Sequence, residues 1–231
     1  MIQLPSQKTS VQTNISRQKF LLYGQPKVGK STTAAGFPRA LFVATEPGHN
    51  FLSIYKVDVK SWVDFKEFVK LIVATPGEHE TIVIDTVDIL YKMCEQAVLE
   101  QNKVGHASDL PFGKGFSLIK DEFSKVVTYL GNHGFGLVFI SHAKEKEMKT
   151  KTSTWTVMTT SLNNQAESFL CGMCDFIFYC YINEKGERLM KTKAEKYVNA
   201  GSRGLSFPSP MEMSFEAMTK HLTTQQLQEG K

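Results

Sequence analysis

The chain has 231 residues, 42% of them hydrophobic and 22% charged, with 27 basic against 23 acidic side chains and a net charge of +4. One α/β domain can use that length entirely, and the composition is that of a globular protein with a real core. The small basic excess permits contact with nucleic acid without arguing for it, and no run reaches the ~18 apolar residues of a membrane span.

The N-terminus, MIQLPSQKTSVQTNISRQ, is polar and has no signal-peptide core, so the expected setting is cytoplasmic, with no membrane contact. Residues 1–18 read as a flexible or edge-docked tail. KFLLYG is a short buried strand, followed by a glycine-containing turn over Gly24 to Lys30 and a short helix stopped by Gly36 and Pro38. ALFVAT is a second buried strand, and YKVDVK a short further one. SWVDFKEFVKLIVAT is an amphipathic helix capped by Ser61, with Trp62, Phe65, Val69 and Ile72 or Val73 on one face. TIVID is an apolar strand closing on Asp85, and TVDILYKMCEQAVLEQ the helix after it, where Asp88 is the natural capping residue. A polar stretch leads to a helix with Phe116, Ile119, Phe123, Val126, Val127 and Leu130 on its apolar face. GLVFIS is another buried strand.

Beyond residue 145 the pattern changes. KEKEMKTKTSTWTVMTT reads as an exposed β-hairpin or a mobile loop, and NNQAESFLCGM as a helix. DFIFYCYI and ERLMKTK are strands joined by a turn at Asn183 to Gly186, and SFEAMTKHL is a last amphipathic segment. Cys171 and Cys174 form a lone C-x-x-C without a second ligand pair. In so apolar a segment, buried thiols are the favoured reading over metal or redox chemistry.

Strands that are apolar without alternation, interleaved with helices, predict an α/β fold. Its mostly parallel central sheet carries helices on both faces and a C-terminal antiparallel edge. The expected division is a tail over 1–18, a core over 19–208, and an amphipathic segment with tail over 209–231. In such sheets ligands bind beyond the carboxyl ends of the strands.

Gly24-Gln25-Pro26-Lys27-Val28-Gly29-Lys30-Ser31 matches G-x-x-x-x-G-K-[ST], with a strand before it and a helix after it. This P-loop pattern has a physical reason. The two glycines let the backbone turn so that its N–H groups face phosphate oxygens, and the helix adds its positive end. Lys30 supplies charge to the β- and γ-phosphates, Thr32 continues the cradle, and the Ser31 hydroxyl can hold Mg2+. Asp85, the sole polar group closing an apolar strand, is the second candidate Mg2+ ligand. ATP and Mg2+ are the expected cofactors.

GQPKVGKST, FVATEPG, TIVIDTVDIL, FGKGFSLIKDEF, GLVFISHAKEK and RLMKTKAEKYVNAGSRG together resemble the core ATPase domain of RecA-type recombinases. More narrowly, they resemble phage single-strand annealing proteins of the Sak-four type. The resemblance implies a RecA-like P-loop NTPase core and ATP hydrolysis. It implies that Glu46 polarises the attacking water, a surface glutamate before a Pro-Gly turn being the alternative, and that His142 occupies the place of a γ-phosphate sensor, where RecA itself has an amide. A hydrogen-bonded structural histidine is the alternative at His142. It also implies that some of Lys191, Lys193, Lys196 and Arg203 reach a neighbouring subunit's nucleotide; a solvated basic edge is the alternative.

By the same resemblance, single-stranded DNA would meet two regions, 102–115 with Lys103 and Lys114, and 146–162 with Lys146, Lys149, Lys151 and Trp155. Lysines there neutralise phosphates and the aromatic stacks on a base. Glu145 and Glu147 dilute that charge, so a solvated hairpin is the competing reading. The function implied is annealing or strand pairing in phage recombination, by a homo-oligomeric ring or filament in the host cytoplasm, with a single-strand DNA-binding protein as a further partner. The alternative is a nucleotide-dependent switch or assembly protein acting on a protein partner. A small-molecule kinase would need a lid with clustered arginines, which the sequence does not offer.

Overall fold

KFLLYG, ALFVA, TIVID and GLVFIS lie at the centre of one sheet, as their unbroken apolar character requires. The computed structural model describes Leu4, Ser6, Gln7 and residues 14–229. Its strands are β1 (Lys19–Gly24), β2 (Ala40–Ala44), β3 (Tyr55–Asp58), β4 (Thr81–Asp85), β5 (Gly136–Lys149), β6 (Thr154–Thr160), β7 (Phe176–Ile182), β8 (Arg188–Lys191), β9 (Gly201–Ser202) and β10 (Met211–Glu212). The helices are α1 (Lys30–Ala35), α2 (Trp62–Ala74), α3 (Val87–Gln101), α4 (Lys114–Gly131), α5 (Asn164–Met173) and α6 (Phe215–Glu229). The sheet order is β10-β8-β7-β1-β5-β4-β2-β3. From β7 to β3 every pairing along this path is parallel, and β8 and β10 add the antiparallel edge.

Alternate residues of each central strand enter different cores. Leu21, Val43, Ile82, Ile84, Leu137 and Phe139 pack under α2, α3, α4 and α5. Phe20, Leu22, Phe42, Val83, Val138 and Ile140 pack on the other face, with Ala34 of α1 and Met218 of α6. A strand covered on both faces has no reason to alternate polar and apolar residues, which is why the sequence does not. The α/β class with a mostly parallel sheet and an antiparallel C-terminal edge is the observed one.

Local expectations hold in most elements. Ser61 caps α2 by accepting from the Asp64 amide at 3.1 Å. The Asn183 to Gly186 turn closes through Gly186 N–H to Asn183 O at 2.9 Å. The 146–162 region is a hairpin: β5 runs on past the sheet to Lys149 and pairs with β6. Cys94, Cys174 and Cys180 are buried and Cys171 half-buried. Burial pushes the Cys171 thiol up to about 11 and Cys180 up to about 12.

Two expectations fail. Asp88 does not cap α3; the cap position is Thr86, which makes no side-chain cap bond. Asp88 instead accepts from Ser141 Oγ at 3.0 Å, His142 N at 3.2 Å and Ser161 Oγ, tying α3 to the root of the hairpin. Phe116 is 40% exposed, its ring in edge contact with His106 of the α3–α4 connection at 6.1 Å between centroids. The expected tail over 1–18 lies mostly outside the described residues, but its last turn, Ile15–Arg17, is a 3-10 turn with Ile15 and Ser16 buried. Beyond Pro208, β10 extends the sheet and α6 seats Met218 and Leu222 in the core.

Candidate functional site

Sheet register brings the candidate residues to one edge. Gly24 at the end of β1 stands opposite His142 of β5, and Ala44 at the end of β2 stands opposite Asp85 of β4. The residues that follow these strand ends surround a cleft of about 510 Å³. It is lined by Pro26, Lys27, Gly29, Lys30, Ser31 and Thr32 from the loop and α1, Glu46 to His49 after β2, and Asp85, His142 and Arg188. Sequence distance is irrelevant here; only the order of the strands collects them.

The loop between β1 and α1 needs its two glycines. A Cβ on Gly24 would lie 2.2 Å from the Cys180 carbonyl oxygen, and Gly29 has φ +105°. Val28 is buried beneath the loop, whereas Gln25, Pro26 and Lys27 are exposed. Lys30 is buried and its ammonium donates to Gly24 O and Gln25 O, both at 2.9 Å. Burial lowers its pKa from the ordinary value, while Cys180, Asp85, Asp88 and Glu46 oppose that shift.

Ser31 Oγ donates to Asp85 Oδ2 at 2.6 Å. A hydroxyl and a carboxylate side by side are hard oxygen donors of the kind Mg2+ takes, so the residues present fit that ion. His49 Nε2 lies 2.9 Å from the same Asp85 oxygen. Glu46 accepts from Thr86 Oγ1 at 2.5 Å, and its Oε1 is 3.6 Å from His142 Nε2. Thr86 N in turn donates to Thr45 Oγ1 at 2.8 Å, which ties the ends of β2 and β4 together. Glu46 and Asp85 thus stand on the β2 and β4 side of the cleft, with β5 and its His142 between them and the strand that feeds the loop.

The other candidates are not gathered here. Lys191 pairs with Glu195 at 2.5 Å, Lys193 is exposed, and the Lys196 ammonium stands 5.3 Å from the centre of its neighbour Tyr197's ring. Arg203 is at the opposite end of the sheet, 3.5 Å from Asp175 at the start of β7. Lys103 and Lys114 are exposed on the α3–α4 connection. In the hairpin, Lys146 lies 3.5 Å from Glu167 and Lys149 3.3 Å from Glu147, while Lys151 is exposed. Trp155 is half-buried opposite Met148, facing a groove of about 530 Å³ shared with α5.

Sequence reasoning missed His49 and Arg188. The first follows Glu46-Pro47-Gly48 in a turn whose composition signals only a loop. The second begins β8, where a lone arginine signals nothing until β8 is seen to place its side chain against Gly29.

Fold and cleft together define a P-loop NTPase. A family model described as an AAA domain matches residues 16–204, and the chain belongs to that family, AAA_24. Membership implies nucleotide binding and, in general, nucleotide hydrolysis. Over 132 residues the chain is 29% identical to the SPbeta prophage-derived uncharacterized protein YorG of Bacillus subtilis (strain 168), a match covering 54% of this chain and 40% of that protein. The matched part therefore spans less than half the length of the curated relative. Among the described residues, no helix is long and apolar enough to cross a membrane.

Proposed function

We propose that this chain is a Mg2+-dependent ATPase of phage recombination that binds single-stranded DNA as a homo-oligomer and promotes annealing or strand pairing in the host cytoplasm. The observation that carries the nucleotide half is the convergence of the Gly24–Ser31 loop, Asp85 and Glu46 on one cleft. The loop and Lys30 hold the phosphates, and Lys30 exchanges its two carbonyl partners for phosphate oxygens. Ser31 and Asp85 hold Mg2+, which supplies charge neutralisation at the phosphates. Glu46 orients and polarises the attacking water, and His142, beside it, reads the state of the γ-phosphate.

The recombination half rests on the resemblance to annealing proteins, on the prophage origin of the matched relative, and on the lysine-bearing hairpin that grows from the cleft strand. Trans contacts through Lys191, Lys193 and Lys196, a ring or filament, and a single-strand DNA-binding partner belong to the same proposal. Arg203, turned to Asp175, is the weakest member of that set.

One observation favours the second reading, a nucleotide-dependent switch or assembly protein. Lys146 and Lys149 are already paired with Glu167 and Glu147, which lowers the charge the hairpin offers to phosphates. A salt titration of single-stranded DNA binding, with and without a non-hydrolysable ATP analogue, separates the two. Nucleotide-dependent binding whose logarithm falls linearly with the logarithm of salt supports the first. No binding at low salt selects the second. For the cleft itself, Lys30→Ala is expected to abolish nucleotide binding or turnover.

A further inference from the structure

His49 is 8% exposed, and Asp85 5%. The imidazole Nε2 and the Ser31 hydroxyl meet the same Asp85 oxygen, at 2.9 Å and 2.6 Å. An ionised carboxylate only accepts, so Nε2 carries a proton and donates it. The other ring nitrogen, Nδ1, is buried without a partner among the described residues. The ring itself is held edge-on to Phe42, with centroids 5.6 Å apart, and the His49 carbonyl accepts from Leu52 N at 3.0 Å. The bond to Asp85 is therefore the one polar side-chain bond that this buried ring makes.

We propose that His49 is a positioning residue for the divalent cation, fixing the Asp85 carboxylate in the orientation that receives the ion. The inference rests on Ser31 and Asp85 being the residues that hold Mg2+. When the Ser31 oxygen turns to a cation it stops donating to Asp85. Among the described side chains, His49 is then the one that still holds the carboxylate. A donor on the ligand of a metal typically sets the metal's affinity by ~10–100-fold without touching the metal. A strand-end aspartate without such a donor has to be ordered by the ion itself.

The test is the enhancement of affinity for a non-hydrolysable ATP analogue on adding Mg2+, measured by calorimetry from EDTA through a Mg2+ series. His49→Ala is expected to reduce that enhancement by ~10-fold or more and to shift the Mg2+ midpoint upward. His49→Gln, whose side-chain amide nitrogen falls where Nε2 was, is expected to restore it. His49→Asn, whose nitrogen matches Nδ1, is expected to behave like alanine. Thermal melting of each variant shows that it is folded. The proposal is overturned if His49→Ala titrates as the unmodified protein does, or if Gln and Asn variants are equally impaired. If the unmodified protein and Asp85→Asn show the same response to Mg2+, the cation site itself is wrong and the role of His49 goes with it.

Discussion

His142 Nε2 stands 3.6 Å from Glu46 Oε1, so the acid proposed to polarise the water and the residue at the root of the hairpin share one side of the cleft. Glu46 also receives the Thr86 hydroxyl at 2.5 Å, which holds its carboxylate toward the nucleotide cleft. Glu46→Gln keeps that bond but lacks the negative charge. It is expected to retain nucleotide affinity and lose ~100-fold or more in turnover. Single-turnover phosphate release, measured beside calorimetric affinity, checks both halves. Normal hydrolysis would remove Glu46 from the chemistry.

Arg188 has no ion-pair partner among the described residues, and its side chain lies against Gly29 at the mouth of the cleft. In the proposed nucleotide site its guanidinium would face the phosphate tail. Arg188→Ala is expected to weaken nucleotide affinity by ~10-fold, the scale of one charge-assisted hydrogen bond. Unchanged affinity at low salt, where such a contact is strongest, would show that the arginine stays outside the site.

Asp88 collects three donors from β5 and the end of β6 in a buried position. Removing the acceptor strands those donors, each at a cost of ~1–3 kcal/mol if no water reaches it. Asp88→Ala is expected to lower stability by about 2–4 kcal/mol in urea unfolding, and Asp88→Asn by less, because one acceptor oxygen remains. Equal stability of the alanine variant would mean that the network relaxes onto solvent.

The thiols are expected to be sluggish in the native state. Raising the Cys171 pKa from 9.0 to about 11 reduces its thiolate at pH 8 by roughly 100-fold. Since the shift is upward, alkylation accelerates as pH climbs toward that value. Iodoacetamide labelling followed by mass spectrometry should find Cys171 and Cys180 slow in the folded protein and ordinary in denaturant. Fast labelling at pH 7 would revive a reactive C-x-x-C.

Much of this architecture is written in local pattern. Doubly buried strands announce themselves by unbroken apolar runs, and the phosphate loop by two glycines at fixed spacing. Ser61 reads as a cap because capping is a local bond. Asp88 looked equally like a cap, and what decided otherwise was Ser141 and Ser161, brought near only when β5 lies beside β4. His49 and Arg188 fail for the same reason. Their neighbours are set by strand order, and no spacing rule along the chain encodes that order. Phe116 shows the complementary limit: helical periodicity marks a face, but not how completely each residue on it is covered.

β5 is one uninterrupted strand of 14 residues, apolar within the sheet and charged beyond it. His142 is near its middle and Lys149 at its tip, a span of ~23 Å at ~3.3 Å per residue. If the proposed site is right, such a strand would act as a lever with its fulcrum at the cleft. Tilting it by roughly 5° about His142 would sweep the tip through ~2 Å over that span, enough to make or break a surface contact. What the phosphate end feels as a fraction of a bond length, the far end would deliver as a stroke.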